Sequence, residues 1–185
     1  LLQADVADGN NPATHSFIPI YKTTADREAF VQQLQADPAW NTFLAEMAKL
    51  TQPVSTTLYR TVQSWGDRVD TDHVWMGYAF HVTDPAAFVA AINKLIASPT
   101  GKKFPGQAYL SAVEAGGITP VTHLISVGFA SEAEMAAWQA TRDASPDWAA
   151  YLKESRKAAE FLGASLSRDI KTWGTASLDS LASGK

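Results

Sequence analysis

The 185-residue chain contains no cysteine. That excludes a disulfide framework, a thiolate metal site and a cysteine nucleophile. Charge is sparse in both signs: 15 Lys and Arg stand against 19 Asp and Glu, and the net charge is −4. No basic run occurs, so the electrostatic footprint of a nucleic-acid binder is missing. No stretch approaches the roughly 20 apolar residues that cross a bilayer. G-x-S-x-G, H-E-x-x-H, the P-loop and the dinucleotide fingerprint are all absent. We therefore expect no nucleic-acid partner, no membrane span, no metal and no cofactor, and the sequence assigns no catalytic residue. The alternating acids Asp67, Asp70 and Asp72 lack the downstream glycine and glutamate of a calcium loop, and they read as a solvated linker.

What is present is an ordinary globular balance, with 46% hydrophobic residues, enough to fill a core without staples. The opening Leu1-Leu2-Gln3-Ala4 before a polar stretch reads as the end of a secretory signal cut after a small residue. Together with the missing thiols it favours a periplasmic or extracellular location over the alternative, the cytoplasm.

The chain repeats itself. Shifting it by 108 positions lays residues 14–66 on 122–174 without a gap, and 14 of the 53 positions are identical. Chance at average composition gives about four. Thr14-His15 falls on Thr122-His123, Pro38 on Pro146, Trp40 on Trp148, Arg60 on Arg168, and Trp65-Gly66 on Trp173-Gly174. Each copy reads as a strand, a helix, a second helix restarted by Asp37-Pro38 or Ser145-Pro146, and a closing strand. Between them residues 72–117 form a shorter unit: a strand from His73 to Val82, one helix from Asp84-Pro85, and a return strand from Tyr109 to Glu114. Residues 1–13 and 175–185 read as mobile tails.

The fold class expected is α+β: three β-α-β units, helices on one face of an antiparallel sheet. On element order over residues 14–174 the chain resembles the dimeric α/β-barrel (ferredoxin-like) superfamily, which includes antibiotic-biosynthesis monooxygenase-like, EthD-like and NIPSNAP-like domains. Three units instead of two depart from that pattern. With an odd unit left over, the reading implies a homo-oligomer, most simply a dimer.

The candidate site residues come from the repeat. Arg60 and Arg168 sit in apolar alternating stripes, so each is expected to be buried and to hold either a carboxylate or an anionic ligand. Trp65 and Trp173 end their strands on the face opposite the arginines. His15, His73 and His123 open the three units, and each is read as bonding a nearby polar group; His81 is read as solvated. The function expected is a small-molecule-binding or assembly protein that takes a small apolar or anionic ligand between sheet and helices. The alternative that the resemblance implies is a cofactor-independent monooxygenase or haem-handling enzyme, with His15 or His123 as base or ligand and Trp65 or Trp173 lining the cavity.

Overall fold

Alternation of apolar residues and well-placed caps determine most of the elements. A computed structural model describes residues 1–9, 11–66 and 71–173. Seven strands and five α-helices follow in the order β1 (Leu2–Ala7), β2 (His15–Phe17), α1 (Thr24–Ala36), α2 (Pro38–Leu50), β3 (Thr57–Trp65), β4 (Val74–Val82), α3 (Pro85–Ala97), β5 (Ala108–Gly116), β6 (His123–Phe129), α4 (Glu132–Asp143), α5 (Pro146–Ser155) and β7 (Ala159–Lys171). Each helix starts at a side-chain cap. Thr23, Asp37, Asp84, Ser131 and Ser145 each accept a hydrogen bond from a backbone N–H two or three residues on. The helix breaks at Pro38 and Pro146 both occur, so the two copies share their element order.

The strands form one curled antiparallel sheet in the order β2-β1-β7-β4-β6-β5-β3. At its centre the second and third units interleave: β6 lies between β4 and β5, and β4 lies between β6 and β7. The first unit is pulled apart, its strands β2 and β3 forming the two opposite edges of the sheet. The curl brings those edges towards each other. Asp8, at the end of β1, lies close enough to Tyr59 of β3 to raise its pKa, a smaller contribution than the burial of the phenol.

One sequence expectation is overturned at the N-terminus. Residues 1–13 are not a tail, because β1 pairs with both β2 and β7. The 108-residue correspondence in fact extends back through β1: Leu2, Ala4, Ala7, Gly9 and Pro12 match Leu110, Ala112, Ala115, Gly117 and Pro120. The registers agree as well. Ala4 faces Arg168 as Ala112 faces Arg60, and Ala4 faces His15 as Ala112 faces His123. A polar, small-residue strand at a sheet edge gives no strong hydrophobic alternation, so it reads as a tail. The expected tail at 175–185 lies outside the described residues.

The core sits between the sheet and α3 and α5. Phe88 and Leu110 are fully buried, joined by Ile92, Val82 and Tyr151. Each such side chain contributes roughly 1.5–3 kcal/mol. The helix-bearing face is thereby identified: Phe80 packs on Phe88 of α3, and Tyr78 meets Arg142 of α4. Helices α1 and α2 bury no residue.

Candidate ligand-binding face

The residues singled out in the sequence do not converge. Arg60 pairs with Glu114 at 2.8 Å, and Arg168 pairs with Glu132 of α4. The pairing is as expected, but the burial is not: the two side chains are 61% and 55% exposed. Each guanidinium thus keeps most of its water while it holds its glutamate. Trp65 is on the same face as Arg60, not the opposite one. A bulge between Thr61 and Gln63 shifts the alternation, so Arg60 faces Ala112 and Trp65 faces Ala108, two positions of equal parity on β5. Trp65 donates its indole N–H to Asn93 of α3 and is locked there. Trp173 is 53% exposed and packs on Phe17.

His15 and His123 each bond the preceding threonine hydroxyl at 3.0 Å, the same pair in both copies. Burial and then Arg60 hold the His123 pKa below its ordinary value. Its row partners, Ala112 and Phe80, put it on the helix-bearing face. His73 is exposed at the entry to β4. Among the described residues no three His, Asp or Glu side chains gather in a metal-holding group.

Between the sheet and helices α3 and α5 the space is occupied by core side chains. A gap of about 70 Å³ lies between α3 and α5, beside Leu95 and Tyr151. An open depression of about 500 Å³ lies at the strand ends, beside His81, Arg156 and Lys157, but Lys157 is held by Glu154 at 3.0 Å.

The opposite face of the sheet has a different character. Its central rows read Ser165–Gly77–Ser126–Tyr109–Ser64 and Gly163–Ala79–Leu124–Ser111–Thr61 across five strands. Nearly all are glycine, alanine, serine or threonine, so this face is floored by backbone and hydroxyls. A Cβ at Gly163 would meet nothing within 4 Å. Large side chains stand around this floor. Trp75 and Tyr109 lie 6.1 Å apart, 7% and 6% exposed, and Tyr59 closes the β3 side. Beneath Tyr109 lies a buried polar group: the Tyr109 hydroxyl bonds Gln107, whose N–H donates to Asp72 at 2.9 Å. Asp72 is 2% exposed, which corrects the reading of a solvated linker for that residue; Asp67 and Asp70 lie outside the described residues. The indole N–H of Trp75 is buried without a hydrogen-bond partner among the described residues, an arrangement that normally costs about 1–3 kcal/mol.

His81 stands at the rim of this floor, in alternation with Trp75, Gly77 and Ala79. Its Nδ1 lies 3.0 Å from the Pro120 carbonyl, an acceptor, so that nitrogen carries the proton and Nε2 is the basic one. The period-two pattern of β4 was the available signal for this face. The 108-residue duplication of 14–66 on 122–174 does not mark it, because β4 lies between the two copies.

No family model matches the chain, and no curated protein matches it by sequence. Among solved structures it is similar to an anthrone oxidase-like protein, at 11% identity and a TM-score of 0.52, over 92% of this chain and 75% of that one. It also overlaps a major regulator of staphylococcal pathogenesis, at 16% identity and a TM-score of 0.41, over 65% of this chain and 74% of that one. The first likeness speaks to the fold alone, and together with the curled antiparallel sheet it fits an α/β-barrel-type fold.

Proposed function

We propose that the chain binds a small, flat, mainly apolar molecule on the sheet face opposite the helices, and that its architecture is a ferredoxin-like pair of units extended by a split third. The observation that carries the binding reading is the floor of small residues with open space at Gly163, walled by Trp75, Tyr109 and Tyr59. Binding sites are mostly apolar with a few placed polar groups. Here the polar groups are the serine hydroxyls of the central rows. The Arg60 and Arg168 guanidiniums, held by glutamates on the other face, take no part in this reading.

The test uses 2-naphthol in equilibrium dialysis. Gly163→Leu, whose Cβ would meet nothing within 4 Å, puts its side chain into the open space and is expected to weaken binding at least tenfold while leaving the melting temperature within a few degrees. Equal binding by the variant would overturn the reading.

A second reading is supported by His81. With Nδ1–H held by the Pro120 carbonyl, Nε2 is the nitrogen that would take a proton from a substrate on the floor. The chemistry would be a cofactor-independent monooxygenation in which an activated CH2 becomes C=O, one atom of dioxygen entering the product and the other leaving as water. The fold likeness to an anthrone oxidase-like protein is compatible with it. Haem handling has less support. His15 and His123 belong to the helix-bearing face, so neither offers an axial nitrogen to a ring on this floor. Oxygen uptake with an anthrone, lost in His81→Ala, decides this reading, and visible absorbance of the purified protein decides the haem question.

A further inference from the structure

The two copies are equivalent in sequence and register, yet only one of them is complete. In the third unit β4 fills the position between β6 and β7, and α3 packs on α5. In the first unit β2 and β3 are the two edges of the sheet with no strand closing the space between them among the described residues, and α2, which meets α1, has no counterpart of α3 packed on it there.

Two independent traces of this gap are visible. Residues 159–164 of β7 pair with β4; their counterparts 51–56 are not in a strand at all. Tyr151 on α5 is 8% exposed; its counterpart Phe43 is 49% exposed, and Leu44 beside it is 45% exposed. Along α2, Trp40, Phe43, Leu44 and Met47 are spaced to bury one face, as a helix facing a partner requires.

We infer that the slot bounded by β2, β3 and the apolar face of α2 is a docking site for a strand-then-helix polypeptide segment built like Val74–Ala97. Such a segment would lay its strand between β2 and β3 and its helix on Phe43 and Leu44. By the 108-residue correspondence its C-terminal end would arrive beside Leu1, as Gln107 leads through Ala108 to Tyr109. The required strand carries apolar residues on one face, as Tyr78, Phe80 and Val82 do, and small ones on the other, as Gly77 and Ala79 do. Pro19 lacks one ladder donor on this side, so the pairing along β2 is one bond poorer than along β6. Counting argues against exchange between identical copies. Each copy has one such module and two places for it, so swapping leaves half the places empty. The site rests on the internal symmetry and not on the ligand reading above.

The test uses the full chain and a fluorescein-labelled peptide of residues 72–107. Saturable one-to-one binding by anisotropy is expected, together with at least tenfold slower amide exchange at residues 51–56. Leu44→Asp, at an exposed position that the folded chain does not need, is expected to weaken binding at least tenfold while leaving the far-UV spectrum unchanged. The proposal is overturned if a scrambled peptide binds equally. It is also overturned if 51–56 gain no protection at saturating peptide. Sedimentation is run on the chain alone: a dimer in which 51–56 are already protected would identify a second copy as the occupant and defeat the proposal.

Discussion

The first and third units began as one sequence and now differ in what their helices touch. Tyr151 and Ser155 of α5 are buried against the core, whereas α2, at the same offset, buries nothing. Helix propensity, capping and the proline break are alike in both, so local sequence makes the helices and the neighbour decides what they are worth. The difference teaches that a duplicated unit can keep its secondary structure after losing its tertiary reason for it.

The sharpest way to break this comparison is to truncate the same position in both. Tyr151→Ala is expected to cost about 3–4 kcal/mol in urea unfolding, within the range for a buried aromatic, and Phe43→Ala under about 1 kcal/mol. Equal losses would mean that α2 is packed after all. Alkaline pH separates the copies next. Burial pushes the Tyr151 hydroxyl up to about 12, from an ordinary value of 10.0. Below pH 10 the phenol is neutral in both states and costs nothing; between about 10 and 12 the unfolded chain ionises first, so stability falls as pH rises. The expected loss is on the order of 2 kcal/mol. Tyr151→Phe, which gives the third copy the residue of the first, is expected to flatten that fall when urea midpoints at pH 9 and 11 are compared.

A smaller effect lies in the turns. Gly117 and its counterpart Gly9 both have positive φ, at 79° and 53°. A Cβ at Gly117 meets Thr57 at 3.2 Å, while one at Gly9 meets nothing. Gly117→Ala is expected to cost about 2 kcal/mol and Gly9→Ala about 1 kcal/mol, read as a difference in thermal midpoints. The smallest effect is shared: Arg60→Ala and Arg168→Ala each remove an exposed ion pair and are expected to cost under about 1 kcal/mol, less at high salt.

The parts of this fold legible in sequence were those with a local cause. Asp37-Pro38 and Ser145-Pro146 announce helix starts whatever surrounds them, and the duplication needs only counting. What stayed hidden depended on partners distant in sequence. The bulge after Thr61 moved Trp65 to the face of Arg60, and no residue in that stretch marks it. Asp72 looks like a linker acid until Gln107 arrives from 35 residues away. The serine-lined floor was spread over five strands, each too ordinary to notice alone.

The two free edges of the sheet are unlike: one is the short β2, the other the long β3. Contact between the β2 edge of one molecule and the β3 edge of the next is therefore head-to-tail, with no twofold axis to end it. Each addition regenerates both ends, so growth proceeds to fibres or to large rings instead of stopping at two.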